Sequence, residues 1–287
     1  MPLAKDRVCV ITGATSGIGL ETALELAGRG WQVALVGRDR QRGAEALAAV
    51  KAAGPLASPS VHYADLSSPR DVERLAGELL GALPRIDVLI NNAGSFFLRR
   101  QLTADGLERT FALNHMAYFV LTACLLTRLT ECAPSRIVNV ASDAHRGAQL
   151  DFADLQMKRG YGGWRAYRAS KLCNILHARQ LAKRLAGSGV TANSLHPGLV
   201  ASRFGDSMGG VAGVGWRATK RLLGISAKEG AATPVFLATS DTVADVSGAY
   251  FYECQPAPPS VDAEDDASAE RLWQESMRIW REVAPPA

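Results

Sequence analysis

Seven short β-branched runs alternate with longer helical stretches along this chain, and that rhythm leaves few folds open. The runs are Arg7–Thr12, Gln32–Val36, Ser60–Ala64, Ile86–Asn91, Arg136–Ala141, Val190–Leu195 and Gly248–Tyr252. Helical periodicity falls between them at Gly17–Arg29, Gln41–Ala53, Gly106–Glu131, Trp164–Ala186 and Ala227–Ser240, and again after Ser68-Pro69, a good cap and first turn. Strands separated by helices of this length require right-handed crossovers and give a mostly parallel sheet covered on both faces. The expected architecture is one doubly wound α/β domain over residues 1–254 with a seven-stranded sheet. A helical extension, 255–287, packs on the same domain. It opens with Pro256, Pro258 and Pro259, crosses an acidic patch and ends in a helix over Ala267–Glu282. Trp273, Met277 and Trp280 share one face of that helix, so core packing is expected of them, with a lid or a dimer contact as the alternative.

Composition narrows the function classes. A net charge of +4 without any Lys/Arg block is no nucleic-acid footprint. No apolar run reaches the roughly 18 residues of a membrane span, and Met1–Arg7 carries no secretory apolar core. The five cysteines are scattered and free of CxxC spacing, which suits reduced thiols in a cytoplasmic protein. The five histidines form no HxxxH or HExxH pattern, so no metal site is expected.

Between the first strand and first helix stands Thr12-Gly13-Ala14-Thr15-Ser16-Gly17-Ile18-Gly19. Glycines there let the backbone turn tightly and approach a pyrophosphate, while the helix N-terminus faces its charge. The spacing is GxxxGxG, neither the GxGxxG fingerprint nor a P-loop. An acid that would hold a ribose hydroxyl is expected at the end of the second strand. Gly37 occupies that place, followed by Arg38 and Asp39. A guanidinium without a carboxylate favours a 2′-phosphate, hence NADP(H) over NAD(H). The alternative is that Arg38 is a solvated loop charge and Asp39 takes the acid's role.

Further along come Asn91-Asn92-Ala93-Gly94 after the fourth strand, Ser142 after the fifth, Tyr167-Arg168-Ala169-Ser170-Lys171, and Pro197-Gly198 after the sixth. In this order the motifs resemble the short-chain dehydrogenase/reductases, and the resemblance covers essentially the whole chain. Gly37-Arg38-Asp39, Asn114-His115, Asp154-Leu155-Gln156 and Ser247-Gly248-Ala249-Tyr250-Phe251 resemble the retinol dehydrogenase and WW-domain oxidoreductase branch, and plant protochlorophyllide reductases share part of the pattern. The resemblance implies a Rossmann fold, a nicotinamide cofactor and a catalytic set of Asn114, Ser142, Tyr167 and Lys171. It implies that Gly13, Thr15, Ser16, Gly17, Ile18 and Gly19 hold the pyrophosphate and that Asp65 and Leu66 flank the adenine. Asn91 and Ala93 would lie along the ribose, with Gly94, Tyr167 and Lys171 also touching the cofactor. His196-Pro197-Gly198-Leu199 would close over the nicotinamide. Ser16 stands where some NADPH-dependent relatives carry a basic residue, so Arg38 must carry much of the phosphate preference.

Chemistry explains these residue types. Hydride transfer between a nicotinamide and a carbonyl needs a proton for the developing alkoxide. A phenol titrates near 10, so a neighbouring cation is expected to help it work at neutral pH. Tyr167 and Lys171, four apart on a helix, share a face. Ser142, at the strand end where open α/β sheets bind ligands, is placed to hold the substrate oxygen. By resemblance, Asn114 links Lys171 to solvent through its backbone and a water. Taken singly, a YxxxK pair is often a core aromatic and a solvated lysine, and Ser142 a turn residue.

His145, three residues past Ser142, reads as a surface loop residue, with a place facing the pocket as the alternative, and His177 as structural. Phe96, Phe97 and Leu98, with Phe204, Met208, Val211, Val214 and Trp216 in a glycine-rich stretch, would line the substrate side and favour a small lipophilic aldehyde, ketone or alcohol. The basic Trp216–Leu223 stretch reads as a substrate-loop helix, weak membrane-surface contact being the alternative. A homodimer through the long helices is the family's common assembly. The function expected is NADP(H)-dependent carbonyl reduction or alcohol oxidation with Tyr167 as proton donor or acceptor. A non-catalytic NADP(H)-binding sensor or scaffold, and a sugar-nucleotide epimerase or dehydratase, are the other readings.

Overall fold

Along β1 (Val8–Thr12) Val8 and Val10 face one side of the sheet and Cys9 and Ile11 the other, and every residue of the strand is buried. A strand apolar on both faces must be covered twice. The computed structural model describes residues 7–54, 58–199 and 224–284 and satisfies that demand. On one side α1 (Gly17–Gly28) and α2 (Arg40–Ala53) bury Ala23, Leu26 and Val50 against Ile11, Leu35 and Ile90. On the other, α3 (Pro69–Ala82), α5 (Ala117–Glu131) and α6 (Gly163–Arg184) bury Leu75, Leu125 and Leu176 against Val10, Leu89 and Ile137.

The remaining strands are β2 (Gln32–Gly37), β3 (Ser60–Tyr63), β4 (Val88–Asn91), β5 (Ser135–Val140), β6 (Val190–His196), β7 (Tyr250–Tyr252) and β8 (Gln255–Pro256). Their order in the sheet is β3-β2-β1-β4-β5-β6-β7-β8, parallel from β3 through β7. The strand order reverses beside β1, so the crevice for a ligand opens between the C-terminal ends of β1 and β4. The expected doubly wound sheet is therefore present, with an eighth strand. β8 pairs antiparallel to β7 through a two-residue turn in which Glu253 and Cys254 have φ of 48° and 60°. Neither is the glycine or asparagine that normally announces such a turn, and Pro256 hid the strand.

Two expected helices differ in form. The stretch 106–131 starts as a single turn, α4 (Arg109–Phe111), then widens into a π-turn at Ala112–Met116 before α5. Arg109–Glu131 is also long and apolar enough, by length and composition, to cross a membrane, contrary to the expectation of no such run. Within the fold 72% of that apolar window is buried, and it serves as core. The stretch 227–240 divides into α7 (Ala227–Gly230) and α8 (Ala232–Thr239), because Pro234 has no N–H to offer the Gly230 carbonyl.

The last helix, α9 (Asp266–Val283), turns a slightly different face inward than its tryptophans suggested. Ala269, Leu272, Ser276 and Ile279 are buried, while Trp273, Met277 and Trp280 flank them half-covered. Trp273 meets the Phe119 ring edge-on at 4.9 Å, and Trp280 Nε1 donates to Glu73 at 2.7 Å. Asp266 and Glu270 pair with Arg179, Lys183 and Arg184 of α6.

Candidate active site

The glycine loop and the Asn92 turn are welded to one another. Thr12 Oγ1 accepts from the backbone N–H groups of Asn92 (2.9 Å) and Ala93 (3.0 Å), and Asn92 Nδ2 donates to the Thr12 carbonyl at 2.8 Å. Contact is too close for side chains. A Cβ on Gly13, whose φ is +67°, would lie 2.9 Å from Ala93 Cα, and one on Gly19 would lie 2.5 Å from the Gly13 carbonyl oxygen. Thr15 packs its methyl where a Gly37 side chain would stand.

The helix start at this loop carries no side-chain cap. Asp39, Ser68 and Asp265 each accept a backbone N–H at the start of α2, α3 and α9. Ser16 makes no such bond at α1, and no acidic residue sits in that first turn. Helix amide donors at the crevice thus await an anion, where the dipole also favours one. The residues present fit a dinucleotide phosphate.

Beyond β2, Arg38 is exposed and makes no hydrogen bond or ion pair among the described residues. Asp39 caps α2, its Oδ1 accepting from Arg42 N at 2.9 Å. Arg40 stacks over Tyr63, 4.9 Å from the ring centroid. Asp65 accepts from Ser67 N (3.0 Å) and Oγ (2.7 Å), which fixes its turn, and Leu66 is buried beneath. Asn91 ends β4. Its side chain points into the core, donating to Thr122 Oγ1 and Asn139 Oδ1 at 3.0 Å each.

The four expected catalytic residues converge. Tyr167 is 7% exposed and hydrogen-bonded to the Ser142 side chain. Lys171, 4% exposed, lies 5.7 Å from the Tyr167 ring centroid and donates through Nζ to the Val140 carbonyl at 3.0 Å. A Cβ on Gly94 would stand 3.4 Å from both Asn114 Oδ1 and Lys171 Nζ, so these two atoms border one small space. The π-turn brings Asn114 there. Its Oδ1 accepts from Ser95 N (2.9 Å), and its Nδ2 donates to the Ser95 carbonyl (3.0 Å) and Ser170 Oγ (2.9 Å). Its amide is a clamp between the Asn92 turn and α6.

Burial governs the titrations. It pushes the Tyr167 phenol up to about 12, against a smaller opposing pull from Ser142, and the Lys171 amine down to about 7. The expectation that the lysine lowers the phenol is not met in the chain alone. Phenol is instead kept protonated, the form a proton donor needs.

Around Tyr167 the surface is aromatic. Trp164 stacks on it at 5.7 Å, Phe96 approaches edge-on at 6.2 Å, and Trp164 (49%) and Leu98 (55%) stay exposed. Trp164 was missed in the sequence, although it lies one turn before Tyr167 on the same face. Across the opening, Gly198 has φ +91° and His196 stacks on Tyr252 at 5.0 Å. Ile225 N donates to the Leu199 carbonyl at 2.8 Å. The expected substrate-loop residues Phe204, Met208, Val211, Val214 and Trp216 lie outside the described residues. His145 is not on the surface: it is fully buried, as is His115, and His177 is nearly so. No cluster of metal-ligating side chains occurs among the described residues.

Comparison with known proteins agrees with this geometry. The family model for short chain dehydrogenases matches residues 7–210. Human retinol dehydrogenase 13 is 38% identical over 285 residues, spanning 97% of this chain and 86% of that protein. Mouse retinol dehydrogenase 14 is 39% identical over 288 residues, spanning 94% and 85%. Among solved structures, an uncharacterized protein from Mycobacterium paratuberculosis superposes with a TM-score of 0.76 at 32% identity, covering 96% of this chain and 93% of that one. The Pseudomonas aeruginosa RhlG/NADP active-site complex gives 0.70 at 26% identity, covering 92% and 98%. The crevice, the convergent Ser142, Tyr167 and Lys171, and these similarities place the chain in the short-chain dehydrogenase/reductase family of oxidoreductases, as a retinol dehydrogenase-like member.

Proposed function

We propose that this oxidoreductase uses NADP(H) to interconvert a lipophilic aldehyde or ketone with its alcohol, in a reducing, cytoplasmic compartment. The observation that carries the cofactor choice is at the end of β2. Arg38 is exposed and uncommitted among the described residues, while the adjacent Asp39 gives its Oδ1 to the cap of α2. A guanidinium in that place is suited to bidentate contact with a 2′-phosphate, and Gly37 at the end of β2 offers no carboxylate to a 2′-hydroxyl. The solved relative described as an NADP complex is in keeping with this choice.

A nicotinamide cofactor held through the Gly13–Gly19 loop would supply or accept the hydride at the carbonyl carbon when bound. Tyr167 Oη–H gives the proton to the carbonyl oxygen in reduction and takes it back in oxidation. Ser142 Oγ holds that oxygen beside the phenol. Lys171, cationic or neutral near pH 7, offsets charge as it develops on Tyr167. Since the Asn114 amide is spent on Ser95 and Ser170, its part in moving protons to Lys171 falls to the backbone of the π-turn. Phe96, Leu98 and Trp164 exclude water and select apolar substrates.

Oxidation of NADPH and NADH should be followed optically against a panel of hydrophobic aldehydes and ketones, for wild type and Arg38→Ser. Removing one charge-assisted phosphate contact should lower kcat/KM for NADPH roughly 10- to 100-fold and leave NADH nearly unchanged. Equal losses with both cofactors would refute the assignment of Arg38. Tight NADPH binding without turnover on any substrate would favour the sensor reading.

A further inference from the structure

Both ring nitrogens of the buried His145 are committed. Nδ1 lies 2.7 Å from the Ser142 carbonyl oxygen, and Nε2 lies 3.0 Å from the backbone nitrogen of Ser260. A carbonyl can only accept and an amide N–H can only donate, so Nδ1 carries the proton and Nε2 the lone pair. His145 N also donates to the Ser142 carbonyl, at 3.2 Å. Two donors from one residue therefore grip the backbone of the serine next to Tyr167.

The rest of this turn is held as firmly. The imidazole meets the Tyr250 ring edge-on at 5.1 Å. Arg146 Nη2 donates to the Pro258 carbonyl at 2.8 Å, and Arg168 of α6 reaches the carbonyls of Ala144 and Arg146. Ser142 itself caps the short 3₁₀ turn Asp143–His145, its Oγ accepting from Ala144 N at 3.2 Å. The segment leading into α9 thus reaches the catalytic serine through one side chain. The angle of Ser142 Oγ is set by its backbone, and a displacement of about 1 Å at a reacting group costs roughly 100-fold in rate.

We propose that His145 is a positioning residue: its Nδ1–H fixes the Ser142 carbonyl, and with it the angle at which the serine hydroxyl faces Tyr167, while Nε2 anchors residues 257–260. The proposal rests on the reading of Ser142 and Tyr167 as the pair that holds the substrate oxygen. Side-chain length separates the two contacts. In His145→Asn an amide donor sits near the δ position and nothing reaches Ser260. In His145→Gln an acceptor reaches the ε position and the δ donor is gone. His145→Phe keeps a ring and loses both bonds.

The measurements are kcat, KM for the best carbonyl substrate, NADPH Kd by fluorescence quenching, and Tm, with wild type and Ser142→Ala alongside. Expected is a loss in kcat of about tenfold or more in the Gln and Phe variants. The Asn variant should stay within about threefold, with KM and Kd little changed throughout. A purely structural tether would lower Tm without separating Asn from Gln in kcat. Equal kcat in those two variants, or an undiminished kcat in the Phe variant, overturns the proposal. Should the Phe variant fail to fold, the Asn and Gln pair decides alone. An inactive wild type, or an active Ser142→Ala, would sink the reading of the site and this proposal with it. Failure of the His145 series beside an active wild type sinks only the proposal.

Discussion

An enzyme carrying Lys171→Met should turn over roughly 10²–10⁴ times more slowly than wild type and yet melt at a higher temperature. The lysine is 4% exposed, and burial lowers its amine to about 7. Its ordinary value in an unfolded chain is about 10.4. Between these two values the unfolded chain binds the proton more strongly, so stability rises as pH climbs from about 7 toward 10.4. At or below pH 7 the native state pays for holding a charge out of water, a cost on the order of 4 kcal/mol. Methionine fills similar volume without charge. The Val140 carbonyl that loses the lysine keeps donors from Asn174 Nδ2 at 3.2 Å and Tyr118 Oη at 3.4 Å, so no buried acceptor is orphaned. A gain of about 1–3 kcal/mol in unfolding free energy is expected at pH 7. Tyr167→Phe should lose turnover to a similar degree while still binding NADPH, because it removes the transferable proton alone. Melting curves at pH 7 and single-substrate kinetics decide. An active methionine variant would refute the role of Lys171, and an inactive one that melts lower would refute the account of its burial.

Acid should unfold this protein well before its carboxylates titrate. His177 is buried with a pKa lowered to about 3, and burial, with His177 as a secondary cause, holds His115 far below its ordinary value. The two rings lie 6.0 Å apart, with His115 Nε2 on Ser276 Oγ at 2.8 Å and His177 Nδ1 on Asn139 Nδ2 at 3.3 Å. Both stay neutral in the native state, whereas both take protons below about pH 6.5 once unfolded. Stability is therefore complete above about pH 6.5 and is lost as pH falls toward 3. The slope approaches roughly 2.7 kcal/mol per pH unit from this pair, since each contributes 1.36. His145 and His196, also lowered chiefly by burial, act in the same direction. Down to about pH 4.5 the effect belongs to histidines, and only below that do Glu78, Asp154 and Asp266 join it. Urea midpoints at pH 7.5, 6 and 5 read this directly. Equal midpoints at all three would contradict it, and His177→Leu should flatten the curve.

The sheet was readable because its strands are apolar on both faces and bounded by turn residues, a signal each strand carries by itself. The π-turn at Ala112–Met116 carries no comparable periodic signal, and Asn114 within it reaches Ser95 and Ser170. Each site motif stands at a strand end or on α6, so strand order alone gathered Gly13, Gly94, Ser142, Tyr167 and Lys171 at one edge. Side-chain direction was less legible. Nothing local announced that the Asn91 side chain turns inward to Asn139, its partner in the adjacent register. Asp39 could not be recognised as a cap before α2 was seen to begin at Arg40. His145 lies in a polar stretch, and its burial depends on Ser260, 115 positions away. Partners so distant leave no local mark.

How late the interior can close follows from α9. Arg70 donates to the Val283 carbonyl and Glu73 accepts from Trp280, links spanning 213 and 207 positions. Phe119, His115 and His177 are all covered by this one helix. While the chain is being synthesised, α5 and α6 emerge long before anything can shield that aromatic face. A ribosome pausing short of residue 266 holds out a nearly finished sheet with a sticky flank. Chaperone demand during translation should therefore concentrate in that interval, after the catalytic residues have already been made.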